Sequence, residues 1–201
     1  MRLQRGLLLT AALLSSALPS SALTTDGDVK AQLLSQYRLR SMHPVAAAAQ
    51  LGLDTPETCT GSHTEVNMQI YIDRYEPIDE HAQTFGFDGY WRAWWVDPRL
   101  AFDPQCSAEL LLSREEAQSI WRPDLYFDKQ VTLDLPEKTM GIADGKGEMV
   151  TVSSDGSVFW SRQARFTLAC PMALDWFPFD TQHCNVMAGL YSQRADQVQL
   201  M

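Results

Sequence analysis

Apolar residues first recur at helical spacing. Val29, Leu33 and Tyr37 are four positions apart, and Leu34 lies three before Tyr37. That spacing predicts an amphipathic helix within 26–42, with Asp26 or Asp28 able to cap its start. Pro44 and the 55–61 stretch read as linker, while Ala46–Ala49 is ambiguous. From Glu65 the period drops to two. Val66, Met68, Ile70 and Ile72 alternate with Asn67, Gln69, Tyr71 and Asp73, the pattern of a half-buried strand. A second strand is predicted over 84–96. Phe85, Phe87, Trp91 and Trp95 fall on one face with Gly89 and Ala93, and Gly86, Asp88, Tyr90, Arg92 and Trp94 on the other. Residues 149–153 and 157–168 flank Asp155-Gly156, a hairpin turn signal. The 107–120 stretch, around Glu109, Leu111 and Glu115, reads as helical. Short strands with frequent turn signals and no internal repeat predict a mostly β fold, an antiparallel sandwich or barrel.

Composition narrows the function classes. A chain of 201 residues, 45% hydrophobic and 20% charged, fits one globular domain. With 16 Lys+Arg against 25 Asp+Glu, the net charge of −9 argues against nucleic-acid phosphates as partners. Arg2 and Arg5 precede an apolar run from Gly6 to Leu18, and Ser20 and Ala22 supply small residues for cleavage. This is the layout of a secretory signal peptide over 1–22. A membrane anchor is the alternative, but the run is broken by Ser15, Ser16 and Pro19. Cleavage removes two arginines and no acid, leaving 14 Lys+Arg against 25 Asp+Glu, a net −11. After the N-terminus no run of about 18 apolar residues encodes a membrane span.

Secretion makes disulfides the expected state of Cys59, Cys106, Cys170 and Cys184. Four cysteines allow three pairings. Cys170–Cys184 would close a compact loop and leave Cys59–Cys106 as the second pair. No C-x-x-C occurs and the four histidines are scattered, so neither a metal nor another cofactor is expected. No two acids stand out as a catalytic pair, and no enzymatic activity is expected.

The loop Cys170-Pro-Met-Ala-Leu-Asp-Trp-Phe-Pro-Phe-Asp-Thr-Gln-His-Cys184 carries aromatics on both sides of a proline, suited to docking on another surface. A structural disulfide in a secreted sandwich is the simpler alternative. The loop closely resembles the signature of the pentameric ligand-gated ion channels, the Cys-loop receptors. Trp95-Val96-Asp97-Pro98-Arg99-Leu100 is similar to the family's W-x-D-x-R-L motif, and Trp121-Arg122-Pro123-Asp124 to its W-x-P-D motif. The run from Asp155-Gly156-Ser157-Val158 to Leu168-Ala169-Cys170-Pro171-Met172 resembles the strand entering the loop. The nearest flavour is the glycine, GABA and glutamate-gated chloride branch.

The resemblance implies an immunoglobulin-like antiparallel β-sandwich with an N-terminal α-helix, spanning 23–201, as the extracellular ligand-binding region of a channel subunit. Its partners would be an amino-acid or amine agonist and other subunits of a homo- or hetero-pentamer. By the same resemblance Tyr90, Arg92, Phe159 and Ser161 fall at complementary-face positions, and Tyr126, Asp128 and Tyr191 at principal-face positions. Phe177, Pro178, Phe179 and Asp180 would pass agonist binding to the pore. Trp95, Asp97, Arg99, Trp121, Pro123 and Asp124 are expected to be structural. The family's ligand-capping hairpin, last strands and four membrane helices have no counterpart before Met201. An N-terminal fragment is therefore expected, touching the membrane only through a pore domain or partner subunits. The alternative is a secreted binding protein of the same fold, like the acetylcholine-binding proteins.

Overall fold

The computed structural model describes residues 25–53, 63–104, 107–135 and 147–201. Two helices open this part of the chain. The first, α1, runs Asp26–Gln36. Its cap is Thr25, neither Asp26 nor Asp28: the Thr25 Oγ1 accepts the Asp28 N–H at 3.2 Å. The two aspartates instead lie in the first turn, where the helix dipole favours negative charge. α1 stops well short of residue 42 because Tyr37 leaves the helix to reach the core. The ambiguous alanine stretch belongs to α2 (Pro44–Leu51), which has Pro44 at its first turn and Gly52 in the left-handed conformation (φ 67°) at its end.

The strands are β1 (Thr64–Tyr75), β2 (Thr84–Val96), β3 (Glu109–Leu112), β4 (Leu125–Phe127), β5 (Gln130–Asp134), β6 (Glu148–Ser153), β7 (Ser157–Ala169), β8 (Ala188–Leu190) and β9 (Val198–Leu200). One sheet is ordered β3-β6-β7-β2-β1-β9, with β5 alongside β6 on the same edge of β7; β4 and β8 form a second, two-stranded sheet. The helix expected over 107–120 is corrected. Its first half is β3, with Leu110 and Leu112 buried, and only Arg114–Ser119 is helical (α3). The reciprocal Ser113–Glu116 capping box starts that helix at 114 and no earlier.

The fold is mostly β, a sandwich with helices at its N-terminal end. From Phe87 on, the β2 faces divide as the alternation predicts: Phe87, Gly89, Trp91, Ala93 and Trp95 are buried, while Tyr90, Arg92 and Trp94 are not. At the start of the strand Phe85 is only half-buried, and Gly86 is buried against Glu76 and the Phe166 carbonyl. Phe127 of β4 packs edge-on against Phe166 of β7 (4.8 Å) and tilted against Trp91 of β2 (5.6 Å), joining the two sheets. At the end of β2, the buried Arg99 makes two bonds to Asp97, Nε–Oδ1 2.8 Å and Nη2–Oδ2 2.7 Å. Its Nη1 also donates to the carbonyls of Arg38 and Leu39. The Tyr37 hydroxyl donates to Asp97 Oδ2 (2.8 Å) and accepts the Trp121 N–H (2.9 Å), with the Arg99 guanidinium over its ring. A buried ion pair persists only when its remaining hydrogen-bonding capacity is filled, and here the chain leaving α1 fills it.

Candidate functional site

Ladder register sets the outer face of the large sheet. Tyr71 of β1 faces Tyr90 of β2, which faces Gln163 of β7; Gln69 faces Arg92, which faces Ser161; Asn67 faces Trp94, which faces Phe159. Alternation then places all of these side chains on the face turned away from the core. Tyr90, Arg92, Phe159 and Ser161 are thus brought together. Tyr71, which the sequence reading left out, joins them: the Arg92 guanidinium lies 5.5 Å from the Tyr71 ring and 5.8 Å from the Tyr90 ring. No feature of β1 singled out Tyr71 before the register was known, because Asn67, Gln69 and Asp73 share its phase. Arg92 Nε is buried without a hydrogen-bond partner among the described residues. Ser161 is covered by its neighbours, and the Phe159 ring sits 6.4 Å from Trp94.

This face is closed at one end by charge. Asp88 accepts from Arg165 Nε (2.8 Å) and from Arg74, and Glu76 lies beside both arginines. The hydrogen bond from Arg165, seconded by Arg74, holds the Asp88 carboxyl below the usual carboxylate range.

A second cluster lies on the small sheet. Tyr126 points away from the core while its neighbour Phe127 enters it. Tyr191, just past β8 and 84% exposed, stands edge-on to Tyr126 at 6.3 Å. Gly189, opposite Tyr126 in the ladder, makes room for that ring: a Cβ there would meet Tyr126 Cε1 at 2.9 Å. Asp128 is exposed, and its N–H donates to the Met187 carbonyl beyond β4. Asp124 supports Tyr191 without joining the cluster. Its carbonyl accepts the Tyr191 N–H (3.1 Å) and its Oδ2 accepts the Ser192 N–H (2.6 Å). Trp121 and Pro123 are buried, and Trp121 packs edge-on against Trp95. The core lies between this cluster and the Arg92 face, so one chain cannot bring the two together.

Cys170 and Cys184 are disulfide-bonded. Between them Phe177, Phe179 and Trp176 project outward, Phe179 being 91% and Trp176 80% exposed. Pro178 is the proline between the two phenylalanines. Asp180 accepts from Gln182, whose side-chain amide also pairs twice with the Ala173 backbone and so folds the loop on itself. Cys59, Cys106 and residues 1–22, where a signal peptide is expected, lie outside the described residues. Among the described residues no helix is long and apolar enough to cross a membrane.

Residues 53–201 match the family model described as the neurotransmitter-gated ion-channel ligand binding domain. The match takes in β1 to β9, both tyrosine clusters and the disulfide loop.

Proposed function

This chain belongs to the neurotransmitter-gated ion-channel ligand binding domain family, and from that premise we propose that residues 23–201 bind an agonist between neighbouring subunits. The family is an extracellular domain of membrane channels and not an enzyme class. In this reading the ligand is a small amino acid. Arg92, backed by Ser161, takes its carboxylate, because a guanidinium offers two parallel donors to a planar anion. Tyr126 and Tyr191 of the neighbouring subunit offer aromatic faces to its ammonium. Tyr71, Tyr90 and Phe159 wall the complementary side, and Asp128 lies at the rim of the principal side. The need for a carboxylate partner is also why we favour the glycine, GABA and glutamate-gated branch. The exposed Phe177-Pro178-Phe179 segment, with the half-buried Asp180 after it, would contact the pore-bearing part of the receptor.

One observation carries this reading: the two candidate half-sites lie on opposite sides of one hydrophobic core. A ligand touching both needs two copies of the domain. Complementation tests it. Arg92→Gln chains and Tyr191→Ala chains should each bind glycine, GABA or glutamate at least tenfold more weakly than the parent. Mixed assemblies should regain a minority of full-affinity sites, because some interfaces pair the two intact faces. Binding by a monomer, or mixtures that regain nothing, would sink the proposal.

A further inference from the structure

Two adjoining clefts lie between the large and small sheets, on the core side of the Tyr126–Tyr191 cluster: Leu125 and Phe127 flank Tyr126, and Asp124 holds the Tyr191 N–H. The inner one, about 190 Å³, is walled by Trp91, Leu125, Phe127, Trp160 and Phe166. The outer one, about 430 Å³, reaches the surface at Arg40, Ser41 and Gln118. Pro123, Asp124, Trp160 and Arg162 line both, so Arg162 and Asp124 stand at the junction.

Arg162 is out of place by the logic of its strand. Alternation puts it on the core face with Val158, Trp160, Ala164 and Phe166, opposite Trp91 of β2. Arg162 is half-buried there, with its Nε enclosed, and removing a guanidinium from water costs free energy unless an anion meets it. The nearest acid is already engaged: Glu148 Oε1 accepts from Arg122 Nη1 and from Trp160 Nε1, each at 2.8 Å. Arg162 makes no ion pair among the described residues, and its Nε is buried with no protein acceptor. Asp124 Oδ1 and Gln193 Oε1, in the same cavity, are likewise buried and unpartnered. Burial, and behind it the repulsion of Arg122 and Arg114, holds the Arg162 guanidinium below the usual arginine range against the pull of Glu148.

We propose that this cavity is a binding site for a small aromatic monocarboxylate, its carboxylate on Arg162 at the junction and its ring among Trp91, Phe127 and Phe166. Of the charges lining the outer chamber, Arg122 is already met by Glu148; Arg40, Arg162 and Asp124 leave a net +1, which a single negative charge matches. A dianion would meet Asp124 as well as Arg162. The inner chamber is smaller than the roughly 300–1,000 Å³ typical of drug-sized sites. One ring suits that volume, and its aromatic walls offer edge and face contacts to it.

Benzoate is the probe. Titrated into the full chain, it should move the indole N–H resonances of Trp91 and Trp160 saturably and raise the melting temperature. Benzamide, with the same ring and no charge, should bind at least tenfold more weakly. Arg162→Gln should lose at least tenfold in benzoate affinity, and Arg162→Lys should lose less. Arg92→Gln should bind benzoate like the parent, which separates this site from the one between subunits. Equal binding of benzamide and benzoate, or an unchanged response in Arg162→Gln, would overturn the proposal. So would an equal response to chloride at matched ionic strength, which would mean an adventitious ion only. Should Arg162→Gln fail to fold, the benzoate–benzamide comparison on the parent decides.

Discussion

Tyr37 shows how much can rest on one side chain. Its hydroxyl joins Asp97 to the Trp121 N–H, and its ring carries the Arg99 guanidinium. Tyr37→Phe leaves the Trp121 N–H without its acceptor and Asp97 one donor short, and should cost about 1–3 kcal/mol in urea unfolding. The same variant has a pH signature. Burial first, and then the negative charge of Asp97, push the Tyr37 hydroxyl well above the ordinary tyrosine range. The unfolded chain releases that proton near pH ~10 and the folded chain does not. Stability from this residue is therefore complete below about pH 10 and is lost as the pH rises beyond it. Unfolding followed between neutral and strongly alkaline pH should show the parent falling more steeply than Tyr37→Phe. Asp97 and Arg99 were legible as structural residues because they sit in a spaced motif. Tyr37 was not, since at the sequence level it was one more apolar position of a helix, and its partners lie 60 and 84 residues away. Arg162 is not legible for a related reason: a lone arginine in a strand reads as exposed until the register shows which face it occupies.

Alternation over many residues survives tertiary packing. The thirteen-residue β2 could therefore be divided into its two faces from sequence, and that division already placed Tyr90 and Arg92 away from the core. Short elements defeat the same method. Four residues of β3 followed by six of α3 merge into one apolar rhythm, and only the Ser113–Glu116 capping box marks the boundary. Strand contacts also hold a restriction that no periodicity reveals. A Cβ on Gly89 would lie 2.3 Å from the Tyr71 carbonyl oxygen, next to the register shift between Ile72 and Arg74. Gly89→Ala must therefore push β1 off β2 at the rung beside Tyr71 and Tyr90. It should lower the melting temperature, raise amide exchange at Ile72 and weaken agonist binding together. A variant that melted like the parent and kept full exchange protection would show that the close approach is not rigid.

Across the whole molecule, the described chain closes on itself. β9 runs parallel to the start of β1, pairing Val198 with Thr64 and Leu200 with Val66. Three residues are too few to display a period, so this pairing was not legible in the sequence. Val198 is 1% exposed, and Val198→Asp would bury a charge with no partner, at a cost of roughly 3–5 kcal/mol. Hydrogen exchange should show protection lost at Thr64 and Val66 before any loss in the middle of β2 and β7. Those two strands form the spine: every residue of β7 from Ser157 to Ala169 pairs with β2, and the Cys170 N–H continues the contact to the Gln83 carbonyl at 2.7 Å. Ser161 and Cys170 are therefore the near and far points of one unbroken rod, about 30 Å apart at roughly 3.3 Å per residue. Such a rod is a lever. Pivoted by about 2° where Ser161 meets Arg92, it would carry the base of the disulfide loop sideways by about 1 Å, without breaking a rung of the ladder.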